Sequence, residues 1–283
     1  MRHTLLCVLT LICLCCTSGA QEAAADSVEY EWDMLLRGGH VIDARSGVDG
    51  ILDIAIADSQ IVAMGAGLDA SRAELSVDLA GLYVTPGLID LHAHVFWGTG
   101  DGYGYSKWKD IWWSHSDSHA GVRPDDHAPR AGVTTVVDAG SSGWRNFSMF
   151  HDRAIKKSET RVLAFLNIVG AGMNGSPAEQ DLTDMDGRLT GMMAKRFGAI
   201  VGIKLAHFDG PDWEPTRQAV AAGELAEVPV MVDFGGSTPP LPLKQLFLKE
   251  LRPGDIFTHC YAGTGRRESI VDLDKGELRD VAS

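Results

Sequence analysis

The chain has 283 residues, 45% of them hydrophobic and 22% charged, a balance that excludes wholesale disorder, collagen and coiled coil. With 25 Lys and Arg against 38 Asp and Glu the formal charge is −13, which offers little to a phosphate backbone and argues against nucleic acid as a partner. Length allows one large domain, or one with a smaller companion.

At the N-terminus an apolar run from Leu5 to Cys16 follows Arg2 and His3, and small residues stand at Ser18, Gly19 and Ala20. A basic start, a short apolar core and a small-x-small site read as a secretory signal peptide over residues 1–20, cut after Ala20. As a helix the apolar run rises about 18 Å, short of a bilayer core of about 30 Å, so no stable membrane insertion is expected after cleavage. An uncleaved anchor is the alternative. Four of the five cysteines lie in this leader, leaving Cys260 without an internal disulfide partner. The expectation is a periplasmic or secreted protein with no disulfide framework.

From Asp33 to Val84 short strand-like runs are split by turn residues. Met34-Leu35-Leu36 meets Gly38-Gly39, and His40-Val41-Ile42 meets Asp43. Ile51 to Ala57 alternates before Asp58-Ser59, and Ile61 to Met64 ends at Gly65. This pattern predicts a small antiparallel β unit of roughly 50 residues.

After Thr85-Pro86-Gly87 the rhythm changes. Apolar runs at Leu88–Leu91, Val133–Val137, Val162–Ile168, Ile200–Leu205, Val228–Phe234 and Ile256–Thr258 alternate with helix-like stretches. Thr216–Glu227 and Leu243–Leu251 are the clearest of these, the second stopped by Pro253-Gly254. Runs apolar on both faces and separated by helices predict an α/β fold with a parallel sheet of about six strands. The count is two strands short of a TIM-like (β/α)8 barrel, and an open doubly wound sheet fits it equally well.

In such folds chemistry gathers at the C-terminal ends of the strands. The polar residues there are His92, His94, Asp138, Asn167, Lys204, Asp233 and His259, a set biased toward metal ligands. His92 and His94 are two apart, so both imidazoles can reach one ion from one strand face; the alternative is a surface pair. Lys204 is the one charge in its strand. Burial would lower its pKa, and a neutral amine can capture carbon dioxide as a carbamate able to bridge two cations. The alternative is a strand-end lysine reaching to solvent. Asp233 and His259 close their strands either as ligands or as turn residues. Asp138 reads as structural, His207 as a loop residue competing for a ligand role, His151 as a surface histidine and Cys260 as packing.

Between Val95 and Ala120 stand Trp97, Trp108, Trp112 and Trp113 among alternating glycines. The stretch reads as a lid over the pocket or as an aromatic plug. As a lid it assigns Trp112 and Trp113, with the strand-end Asn167, to the substrate side.

The run Val84-Thr85-Pro86-Gly87-Leu88-Ile89-Asp90-Leu91-His92-Ala93-His94 resembles the opening of the amidohydrolase superfamily of metal-dependent hydrolases. Ala131 to Gly140, Ala164-Phe165-Leu166-Asn167 and Gly202-Ile203-Lys204 are similar to its dihydroorotase-like amidohydrolase/deacetylase branch. The likeness runs from about Asp33 to Gly265. It implies an incomplete TIM-like (β/α)8 barrel over 86–283, ending before strands seven and eight, preceded over 28–85 by half of a small β-sandwich. It also implies two Zn²⁺ or similar divalent ions per chain. His92 and His94 would hold one, a carboxylated Lys204 would bridge to the second, and His259 would ligate that second ion.

Two departures follow. Asp233 stands where the superfamily usually places a histidine at the end of strand five. The general-base aspartate of strand eight has no counterpart, so no catalytic acid–base residue is assigned, and a fragment is expected. The implied function is hydrolysis of an amide, cyclic amide or acyl ester bond in a small-molecule substrate by a metal-activated water. The alternatives are a non-catalytic exported metal- or ligand-binding fragment lacking the general base, and a metal-free sugar-binding α/β protein. The sequence leaves substrate and oligomeric state open.

Overall fold

The computed structural model describes residues 29–96, 121–174, 178–233, 236–262, 266–272 and 274–280. The expected leader over 1–20 and the tryptophans Trp97, Trp108, Trp112 and Trp113 lie outside these residues. The chain divides into two compact units, Met1–Pro86 and Gly87–Ser283.

The first unit is a five-stranded sheet of β1 (Trp32–Asp43), β2 (Val48–Ala57), β3 (Gln60–Gly65), β4 (Ala73–Asp78) and β5 (Tyr83–Val84). The order is β3-β2-β1-β4, with β5 also on β1. Asp58 and Ser59 both take positive φ, 49° and 60°, the backbone of a two-residue hairpin turn whose twist matches its strands. Two expectations change here. The sheet is mixed, because β4 and β5 pair with β1 in parallel. Gly38-Gly39 is a bulge inside one long strand instead of a turn between two. The register against β2 shifts between Leu36 and Gly39, and Gly38 sits at φ 67°. A β-carbon on Gly39 would meet Val84 at 2.7 Å. The buried Asp53 carboxylate fixes the bulge, accepting the Gly38 amide at 2.7 Å and the Leu68 amide at 2.9 Å. Trp32, Leu35, Ala55 and Ala73 form the core of this unit, while Ile51, Ile61, Val62 and Tyr83 are exposed.

The second unit is a parallel sheet of β6 (Leu88–Ala93), β7 (Val133–Gly143), β8 (Arg161–Asn167), β9 (Ile200–Ala206), β10 (Val230–Asp233) and β11 (Ile256–Phe257). Its order is strictly sequential from β6 to β11. A doubly wound sheet reverses direction partway across; this one never does, so it is an arc of a barrel. The arc is curled. Laid flat, strands about 4.8 Å apart would put β6 and β11 about 24 Å from each other. Instead the His92 ring of β6 lies 3.1 Å from the Thr258 hydroxyl that follows β11.

The helices are α1 (Pro124–His127), α2 (Phe147–Arg153), α3 (Gly187–Arg196), α4 (Glu214–Ala226) and α5 (Leu243–Gln245). A two-stranded pair, β12 (Val271–Asp272) and β13 (Glu277–Leu278), follows β11. Asp186 caps α3, its side chain accepting the Leu189 amide at 2.8 Å. The main core lies between strands and helices: Val136, Leu166, Ile203, Leu205 and Val232 pack with Phe147, Phe150, Ala219, Ala222, Leu243 and Leu246. A second, smaller cluster of Val137, Phe165 and Met231 occupies the opposite face of the strands. Gly202 leaves room there, since a β-carbon would stand 2.1 Å from the Phe165 ring.

The helix expected over Leu243–Leu251 becomes α5 followed by a π-helical turn, Leu246–Glu250. Leu243 and Leu246 are both fully buried while Leu248 faces solvent. Glu250 is held in place by Arg217 and Gln245.

Candidate metal centre

The C-terminal ends of the arc bring the strand-end polar residues together. His92 and His94 close β6 on one side, their rings 5.6 Å apart and nearly perpendicular. Each Nδ1 meets a hydroxyl at 3.1 Å, Thr258 for His92 and Ser141 for His94. These contacts fix each ring and leave each Nε2 for a ligand, the arrangement in which a second partner orients a metal-binding imidazole. Burial, with the Lys204 ammonium next in weight, pushes both imidazoles down to about 4. They are therefore neutral near pH 7, the state that ligation requires.

Lys204 is fully buried near the end of β9. Burial pushes its ammonium down to about 8, against the pull of Asp233 and Asp138. Its Nζ lies 3.6 Å from the Met231 sulfur and 3.9 Å from Asp233 Oδ2. Gly140 makes its room: it sits at φ 89°, and a β-carbon there would stand 2.5 Å from Lys204 Cγ.

Asp233 ends β10 and is 3% exposed. Its Oδ1 accepts from Arg267 at 3.2 Å. Its Oδ2 faces three nitrogens: His259 Nε2 at 3.3 Å, His207 Nε2 at 3.7 Å and Lys204 Nζ at 3.9 Å. The His259 ring, after β11, also lies 4.9 Å from that of His92, so the first and last strands of the arc meet at this point.

Not every strand-end residue joins the group. The Asn167 amide is spent on the backbone, donating to the Gly140 carbonyl at 2.9 Å and accepting the Val169 amide at 3.0 Å. Asp138 is fully buried and accepts the amides of Val95 at 2.8 Å and Ser141 at 2.7 Å, tying the segment after His94 to β7. Burial outweighs these bonds and pushes its carboxyl up to about 6. His151 stands apart with its ring 5.0 Å from Phe197, and Cys260 is half-buried. Trp112 and Trp113 lie outside the described residues.

The sequence marks His207 as a loop residue competing for a ligand role and gives no sign of Ser141, Thr258, Glu179 and Arg267. His207 does follow β9, yet its ring turns back to Asp233. Glu179 Oε2 meets its Nδ1 at 2.9 Å and raises its pKa, against the effect of burial. The trace in the sequence is a histidine three residues beyond a strand-end lysine, a spacing with no period of its own.

The donor set of neutral imidazoles, a carboxylate and a lysine able to form a carbamate suits Zn²⁺ or a similar divalent ion. Among the described residues, as placed, no three His, Cys, Asp or Glu side chains stand close enough together to hold a metal ion without side-chain movement. The Lys204 ammonium faces Asp233 at 3.9 Å, and the His259 and His207 side chains are 49% and 45% exposed.

No protein-family model matches the chain. It is 32% identical over 231 residues to a deacetylase of Agrobacterium fabrum, covering 79% of this chain and 52% of that protein. A crystal structure of an adenine deaminase matches with TM-score 0.69 and 26% identity, covering 89% of this chain and 62% of that one. A crystal structure of a dihydroorotase matches with TM-score 0.66 and 28% identity, covering 86% and 61%. The chain spans about half the length of the curated relatives it matches. With the sequential barrel arc and its strand-end donors, these likenesses show that the chain belongs to the amidohydrolase superfamily.

Proposed function

We propose that the protein hydrolyses an amide, cyclic amide or acyl ester bond of a small-molecule substrate at a pair of divalent cations, Zn²⁺ first among them. His92 and His94 would hold one ion, with Asp233 and His259 on the other and Lys204, as its carbamate, between them. What supports this reading most is the meeting of donors from both ends of the arc, with Asp233 Oδ2 within 3.9 Å of nitrogens on three segments. When bound, the cations lower the pKa of a coordinated water and polarise the substrate carbonyl.

The chain's own residues do the positioning. Thr258 and Ser141 hold the His92 and His94 rings. Arg267 occupies one oxygen of Asp233 and so turns the other toward the mouth. Gly140 clears the space in which the Lys204 side chain lies. On the leader-like residues 1–20 we also place the protein outside the cytoplasm.

The test is metal analysis of the purified protein together with hydrolysis assays on N-acetylated amines, cyclic amides and acyl esters. The expected result is close to two divalent ions per chain, with turnover abolished by chelation. Lys204→Ala should empty the site. A protein that takes up no divalent ion overturns the proposal.

A further inference from the structure

We propose that His207 is a further metal ligand, sharing one cation with Asp233 and His259; this rests on the metal reading above. Its Nε2 lies 3.7 Å from Asp233 Oδ2, and His259 Nε2 lies 3.3 Å from the same oxygen. Two donors on one tetrahedral Zn²⁺, each bonded at roughly 2.0–2.1 Å, stand about 3.3 Å apart. Both histidines thus already keep nearly the spacing to Asp233 that a shared ion demands.

The position is built rather than incidental. His207 takes φ 56°, a left-handed backbone uncommon outside glycine in which histidine is one of the enriched residues, and its ring lies back against Asp233. The backbone is tied on both sides. Its carbonyl accepts the Gln180 side-chain amide at 2.7 Å, and its N–H donates to the Asp233 carbonyl at 3.3 Å. The buried Glu179 carboxylate engages Nδ1 at 2.9 Å. A carboxylate on the far nitrogen fixes the ring and raises the basicity of the nitrogen left for the ion. With Nδ1 engaged by Glu179, Nε2 is the nitrogen turned toward Asp233 Oδ2, so a cation between them would take the place of the imidazolium proton and bond both.

His207→Asn is the variant to make, because asparagine tolerates the left-handed backbone and is a poor zinc ligand. Zn²⁺ affinity would be measured by competition with a chromophoric chelator, and the ligand field by the visible spectrum of the Co²⁺-loaded protein. The expected result is two sites in the parent, with one weakened at least ~10-fold in the variant and an altered Co²⁺ spectrum. Glu179→Gln, which keeps the hydrogen bond but not the charge, should weaken the same site by about 10-fold; it also decides the matter if His207→Asn does not fold. His151→Ala, remote from the site, should change neither readout. Two sites at parental affinity and an unchanged Co²⁺ spectrum in His207→Asn overturn this inference alone. A parent chain that binds no Zn²⁺ overturns it together with the metal reading.

Discussion

Two residues show how far the site depends on single positions. Gly140 combines φ 89° with a place where any β-carbon would overlap Lys204. Gly140→Ala should therefore cost about 2–4 kcal/mol from backbone strain and overpacking, and should displace Lys204. Urea denaturation measures the first effect and metal content the second. Asp255 tests a purely structural role. Its carboxylate accepts the Val230 and Arg252 amides, both at 2.8 Å, and pairs with the Arg252 guanidinium. Burial pushes its pKa up, but the Arg252 and Val230 bonds win and hold it below 3.8. The unfolded chain then takes up this proton first. The stabilisation is complete above 3.8 and lost as pH falls through the lower folded value. Asp255→Ala should cost about 1–3 kcal/mol at neutral pH by leaving the Val230 and Arg252 amides without their acceptor. The gap between variant and parent in urea midpoint should narrow below about pH 4. A gap that holds constant into acid would contradict the ionic account. His92, His94, Lys204, Asp233 and His259 could be nominated from sequence because each ends an apolar run, a local property. Ser141, Thr258, Glu179 and Arg267 could not, since what each touches is set by tertiary approach.

Among the elements, the strands were legible because burial on both faces writes a continuous apolar run. Sheet direction in the first unit was not. Alternation says nothing of whether β4 runs with or against β1, and a Gly-Gly pair reads as a turn until the partner strand shows a bulge. The π-helical turn over Leu246–Glu250 was hidden for a related reason. The same leucines satisfy a helical period, and only the core they meet selects the wider turn. Position in the arc also sets local stability. β7, β8, β9 and β10 pair on both sides, whereas β6 and β11 each pair on one within the sheet. Hydrogen exchange followed by mass spectrometry should find the slowest amides in β8 and β9 and the fastest of the sheet in β6 and β11. Uniform protection across the six strands would refute that gradient.

Across the whole molecule, strand periodicity read the fold class to within one choice, the arc or the doubly wound sheet, and the family resemblance favoured the arc that the structure has. Strand count could not decide it, because both use the same strand and helix units; spatial order did. Each unit also presents apolar side chains to solvent. In the second, Leu88, Ile89 and Leu91 of β6 are each more than half exposed; in the first, Ile51, Ile61 and Tyr83 are. Edges of this kind invite association. Ile89→Lys should therefore raise the concentration at which the protein stays monodisperse by light scattering.

The contact between His92 and Thr258 joins residues 166 positions apart. Closing so long a span comes late, after nearer partners have found each other. Its formation therefore certifies that every intervening crossover has been threaded. The strand-end donors are thus not gathered in a half-made intermediate, and a nascent polypeptide could not assemble them before the sixth strand had docked.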